Sequence, residues 1–154
     1  MDGDVRRYTY MNETRNETNH TLGHCAARQA VYRTSMEIPE LADLIWLFED
    51  EPTAKHPDLA WPDGLQSFRL ERGDRTVLFS LDPLAGEAYI TLHASEREIA
   101  SVGRLRKVET LTIVKRDGYE GLELRFVGGK HDPLFLQTRP EIRLHWDVTP
   151  LGTW

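Results

Sequence analysis

From residue 65 onward, hydrophobic and polar positions alternate through most of the chain. Phe68 and Leu70 alternate with Arg69 and Glu71, and Val77, Phe79 and Leu81 with Leu78 and Ser80. Leu122, Leu124 and Phe126 alternate with Glu123 and Arg125, and Ile142, Leu144, Trp146 and Val148 with Arg143, His145 and Asp147. A period of two puts one set of side chains on a buried sheet face and the other in water. The pattern predicts strands at residues 66–71, 76–81, 88–93, 108–115, 121–127, 134–138 and 142–148, punctuated by RGD, PLAG, RDG, VGGK and TRPE. Asp117-Gly118 and Gly128-Gly129 supply the positive φ angles that tight hairpins need.

The best helical signal spans residues 39–51, where Leu41, Leu44, Ile45 and Phe48 recur at i, i+3, i+4 and i+7 and form one apolar stripe. Pro39 suits the first turn, where a missing N–H costs nothing. Glu40 and Asp43 favour the positive end of the helix dipole, and Pro52 closes the segment. Residues 52–64 hold three prolines and a glycine and are expected to be an ordered loop. Residues 28–38 carry the β-branched and aromatic content of a strand, and 95–103 fits either a short helix or an extension of the strand after it. Residues 1–27 are polar without a clear period and predict an N-terminal arm ahead of one domain over 28–154.

The expected fold is therefore α+β: mostly antiparallel β-meander of about seven or eight strands, forming a strongly curved sheet or partial barrel, with one amphipathic helix packed on it. The length of 154 residues fits this single domain. One cysteine, Cys25, excludes an intramolecular disulfide and fits a reducing, cytoplasmic setting. No apolar run approaches the roughly 20 residues that cross a bilayer, and the first residues lack the apolar centre of a secretory signal. Arginine supplies 15 of the 19 basic residues, a bias compatible with a GC-rich bacterial genome. The three N-x-T triplets at Asn12, Asn16 and Asn19 read as part of a polar tract, since nothing points to export.

Charge changes the picture most. The net charge is −6, and residues 37–63 alone hold eight acidic residues against the single Lys55. Residues 64–154 carry 13 of each sign, so essentially all the excess negative charge lies in one short segment. Such a layout disfavours nucleic acid and anionic membranes, which reward clustered Lys and Arg. It favours a basic protein partner, because complementary charge raises association rate and selectivity. The knot formed by Arg104, Arg106 and Lys107 is too small to argue otherwise.

Catalytic motifs are absent: there is no nucleophile elbow, P-loop, GxGxxG or HExxH, and no family's motif residues are legible. His20, His24 and Cys25 are the one cluster of soft ligands, but no second Cys/His pair lies at a conventional spacing, so no metal or other cofactor is expected. His93, Glu123, Arg143 and His145 fall on predicted polar strand faces and would form an acid/base or anion-binding set if one concave surface gathered them. Of the four tryptophans, Trp46 and Trp146 are expected in the core, whereas Trp61 and Trp154 are harder to bury by position. The leading reading is a non-catalytic interaction protein of inhibitor, immunity or regulatory type. It presents Glu40, Asp43, Asp50, Glu51 and Trp61 to a basic protein. The alternative is a small-molecule binder or weak enzyme built on His93, Glu123, Arg143 and His145. A third reading, a subunit of a larger assembly, would use the N-terminal arm as a clamp.

Overall fold

The alternating segments form strands as the period of two requires, and they divide between two antiparallel sheets. A computed structural model describes residues 36–129 and 131–146. It contains helix α1 (Leu41–Phe48) and strands β1 (Thr53–Ala54), β2 (Gln66–Arg72), β3 (Arg75–Asp82), β4 (Glu87–Ala94) and β5 (Arg97–Arg106). These are followed by β6 (Val108–Arg116), β7 (Tyr119–Phe126), β8 (Leu134–Arg139) and β9 (Arg143–Trp146). The strand orders β1-β2-β3-β4-β5 and β6-β7-β8-β9 follow the chain, so each sheet is a meander. The α+β class with one helix is as the sequence predicts, but the sheets do not close into a barrel. The break falls at Lys107, whose φ of 60° turns the chain out of β5 and into β6. Two backbone bonds tether this crossing: Val108 N–H donates to the Gly86 carbonyl at 3.0 Å, and Val127 N–H to the Lys107 carbonyl at 2.9 Å.

Residues 95–103 are neither a helix nor an extension of the next strand. Ser95 and Glu96 both take positive φ, 48° and 65°, and make the tight hairpin that returns β5 along β4. β5 is an edge strand with most side chains exposed, so it lacks the alternation that marks a half-buried strand. Within the expected loop, Thr53 and Ala54 pair with Ser67 and Gln66 and extend the first sheet by a two-residue strand. Ile142 is buried ahead of β9 rather than within it.

Both buried sheet faces contribute to one core, with Phe68, Val77, Phe79 and Ile90 from the first sheet and Leu111, Leu122, Leu124 and Leu136 from the second. The helix adds Leu44, Leu47 and Phe48, while Leu41 and Ile45 are only half-buried. Its apolar face is thus turned toward Leu47, which leaves Trp46 outside: 43% of it is exposed, contrary to the core position expected. Phe48 anchors the helix by stacking on Phe68 and Phe79, with ring centroids 5.1 and 5.5 Å away. Burying a side chain of this size contributes about 1.5–3 kcal/mol. Gly121 leaves no room for a side chain, because a Cβ there would clash with the Leu136 carbonyl oxygen.

Candidate functional site

The site begins with a proline. Glu37 forms a parallel bridge to β6: its N–H donates to the Glu109 carbonyl and its carbonyl accepts from Leu111 N–H, both at 2.8 Å. In a parallel ladder the next rung would run from the N–H of residue 39 to the Leu111 carbonyl. Residue 39 is Pro39, which has no N–H, so the ladder stops after one bridge and the chain turns into α1. Beyond that point β6 is an edge among the described residues, where its only sheet neighbour is β7. Among the described residues, the Leu111 carbonyl, both backbone groups of Ile113 and the Lys115 N–H have no backbone partner.

This edge and α1 enclose a groove of about 780 Å³, lined by Glu37, Pro39, Asp43 and Trp46 on one side and by Thr110–Ile113 and Lys115 on the other. Asp43 and Trp46, three residues apart, share the helix face that looks onto it. Lys115 Nζ lies 3.8 Å from the Trp46 ring centroid, and the Arg139 guanidinium lies 4.3 Å from it. The exposed indole thus lies against two cations, which are attracted to the negative face of an aromatic ring.

Glu40, Asp43, Asp50 and Glu51 are all exposed, and among the described residues none forms a salt bridge. Glu40 is the N-cap residue, with no side-chain cap bond. The Asp50 carboxylate accepts only the neighbouring Glu51 N–H, at 2.9 Å. Glu49 differs. It ends the helix at φ 59° and accepts from Arg139 at 2.8 Å and Arg72 at 2.6 Å. Arg139 also donates to Glu120 at 2.7 Å, and Arg72 to the Thr138 carbonyl at 2.8 Å. The helix end is therefore fastened to β2 and β8, one strand from each sheet. The bonds from Arg139 and then Arg72 hold the Glu49 carboxyl below its ordinary pKa. Arg139, bonded first to Glu49 and then to Glu120, is held correspondingly higher. This clamp fixes the helix that carries the free carboxylates, and nothing local in the sequence singles out its distant arginines.

Trp61 is half-buried and meets Phe68 edge-on at 6.4 Å, so the loop it sits in rests on the first sheet. His93, Glu123, Arg143 and His145 are not brought together. His93 lies on β4 of the first sheet, opposite Thr76 and Glu98, while the other three belong to the second sheet. There Glu123 and His145 flank Phe135 across neighbouring strands. Glu123 is paired with Arg125 at 2.6 Å, and Arg143 with Glu141 at 2.8 Å. Trp146, expected in the core, is half-buried against it and stacked on Phe126 at 6.1 Å. His20, His24, Cys25, Trp154, the arm over 1–27 and most of the 28–38 strand lie outside the described residues, as do the last two residues of the 142–148 strand. Among the described residues no group of His, Cys, Asp and Glu is arranged to hold a metal ion, and no helix is long and apolar enough to cross a membrane.

The architecture is that of a two-sheet antiparallel α+β fold with one helix across the core. No family model and no curated protein matches the chain. Among solved structures, the fold is similar to a chain of the contact-dependent growth inhibition toxin–immunity protein complex from Klebsiella pneumoniae 342. The two share 18% identity with a TM-score of 0.62, over 71% of this chain and 94% of that one.

Proposed function

We propose that this chain is a non-catalytic interaction protein that presents the acidic side of α1 and the Trp61 loop to a basic protein partner, as an inhibitor, immunity or regulatory protein does. One observation carries the reading: the carboxylates of Glu40, Asp43, Asp50 and Glu51 stand exposed and without a described cation, on α1 and at its two ends, and a salt-bridge clamp holds that helix in place. Unpaired surface charge of one sign does little for folding, but it steers and selects a partner of the opposite sign. The fold similarity to a chain of a toxin–immunity protein complex supports the same class of role. The rest of the acidic segment, with Glu37, Asp58 and Asp63, extends the negative field around the helix.

The test is charge reversal. Glu40, Asp43, Asp50 and Glu51 are replaced together by lysine, and the purified variant is compared with wild type for thermal unfolding and for capture of a basic partner from the native host. Capture is lost while the unfolding transition stays in place. Equal capture by both proteins overturns the proposal.

A further inference from the structure

We infer that the open edge of β6, from the Leu111 carbonyl to the Lys115 N–H, accepts an extended basic segment of a protein partner as an added strand. The inference deepens the docking role proposed above and rests on it. Pro39 ends the chain's own pairing with β6 after the Glu37 bridge, because it cannot supply the next donor. Four backbone groups in succession are then left facing the groove rather than another described strand. An unpaired strand edge is a template for another chain: main-chain hydrogen bonds give affinity, and alternate side chains give specificity.

The groove's charge selects the occupant. Among the described residues that line it, Glu37 and Asp43 have no salt-bridge partner, and Lys115 is the one cation, placed over the Trp46 ring. Along an added strand, every second side chain would point toward α1. Lysine or arginine there would meet Asp43 and Glu37. A second copy of this chain fits less well, because two copies meeting edge to edge would bring two acidic helices together.

Amide hydrogen exchange on the intact protein tests this, using a short synthetic peptide that alternates lysine with valine. At saturating peptide the Ile113 and Lys115 amides slow by at least tenfold. Thr112 and Val114, which face β7, stay as they were. A peptide of the same sequence with every backbone nitrogen methylated gives no slowing, and one alternating glutamate with valine gives far less. Unchanged Ile113 and Lys115 exchange at millimolar peptide overturns the inference, as does equal slowing by the glutamate peptide. Protection that rises with protein concentration alone also overturns it, by identifying a second copy at the edge. Failure here is separable from failure of the docking role: a partner lost on acidic-to-lysine reversal yet leaving Ile113 exchange untouched keeps the role and removes the strand pairing.

Discussion

The two sheets and the acidic segment before them differ in charge balance: residues 64–154 carry 13 acidic and 13 basic residues, whereas residues 37–63 carry eight acidic and one basic. In the sheet region Glu71 pairs with Arg69, Glu87 with Arg104 and Arg106, Glu123 with Arg125 and Glu141 with Arg143, while Asp82, Glu98 and Glu109 have no described salt-bridge partner. In the helix segment only Glu49 is paired, with Arg72 and Arg139, and its role is to fasten the helix. The remaining carboxylates of the segment are exposed with no described salt-bridge partner. Charge in the sheet region is thus balanced within the molecule, and the excess of the acidic segment is left for something outside it. Perturbations should sort accordingly: core and clamp changes move stability, and exposed acids do not.

The largest effect belongs to the helix anchor. Phe48→Ala removes the ring stacked on Phe68 and Phe79, and is expected to cost about 3–5 kcal/mol in denaturant unfolding. Next is Gly121→Ala, which forces a methyl against the Leu136 carbonyl; overpacking of this kind costs about 1–3 kcal/mol, read as an earlier unfolding midpoint. Both tie the sheets to stability and leave the helix charges untouched.

Breaking the clamp has a smaller consequence. Arg139→Ala removes the bonds to Glu49 and Glu120, and the pairs are partly solvent-screened, so roughly 1 kcal/mol is expected. The same clamp sets a pH dependence. Glu49 and Glu141 are bonded to arginines and titrate below their ordinary range in the folded protein, as does Glu87, held first by the Tyr89 hydroxyl and then by Arg104. A lowered folded pKa contributes stability that is present above the unfolded value and is lost as pH falls through the folded one. Thermal stability should thus decline on acidification through the carboxylate range, and Glu49→Gln should flatten that decline. Smallest of all, Asp50 or Glu51 changed singly to lysine should shift stability by no more than about 0.5 kcal/mol, and Glu40 or Asp43, at the positive end of the helix dipole, by no more than about 1 kcal/mol. A larger loss at any of them would mean that a helix carboxylate serves folding after all, and the contrast between the regions would fail there.

How far the sequence foretold these regions depends on whether a signal was local. Strands with one wet and one buried face, such as β3 and β7, announced themselves through alternation. β5 did not, because an edge strand wet on most positions has no period to read. The division into two sheets hinged on the backbone angle of Lys107, which no side-chain pattern records. Helix 39–51 was legible and came out shorter, with its buried face turned from Ile45 to Leu47, and that turn exposed Trp46. The acidic residues of the candidate site were legible from composition. The groove beside them was not, since it depends on Glu37 pairing with Thr110 far along the chain and on Pro39 stopping the ladder one rung later.

Native mass spectrometry of the protein, isolated from its own host at endogenous level beside the variant with Glu40, Asp43, Asp50 and Glu51 all changed to lysine, tests the docking role most directly. The account predicts that wild type carries a stoichiometric protein of strongly basic composition and that the equally folded variant has lost it. The same bound mass on both proteins, or an acidic protein on wild type, would contradict it.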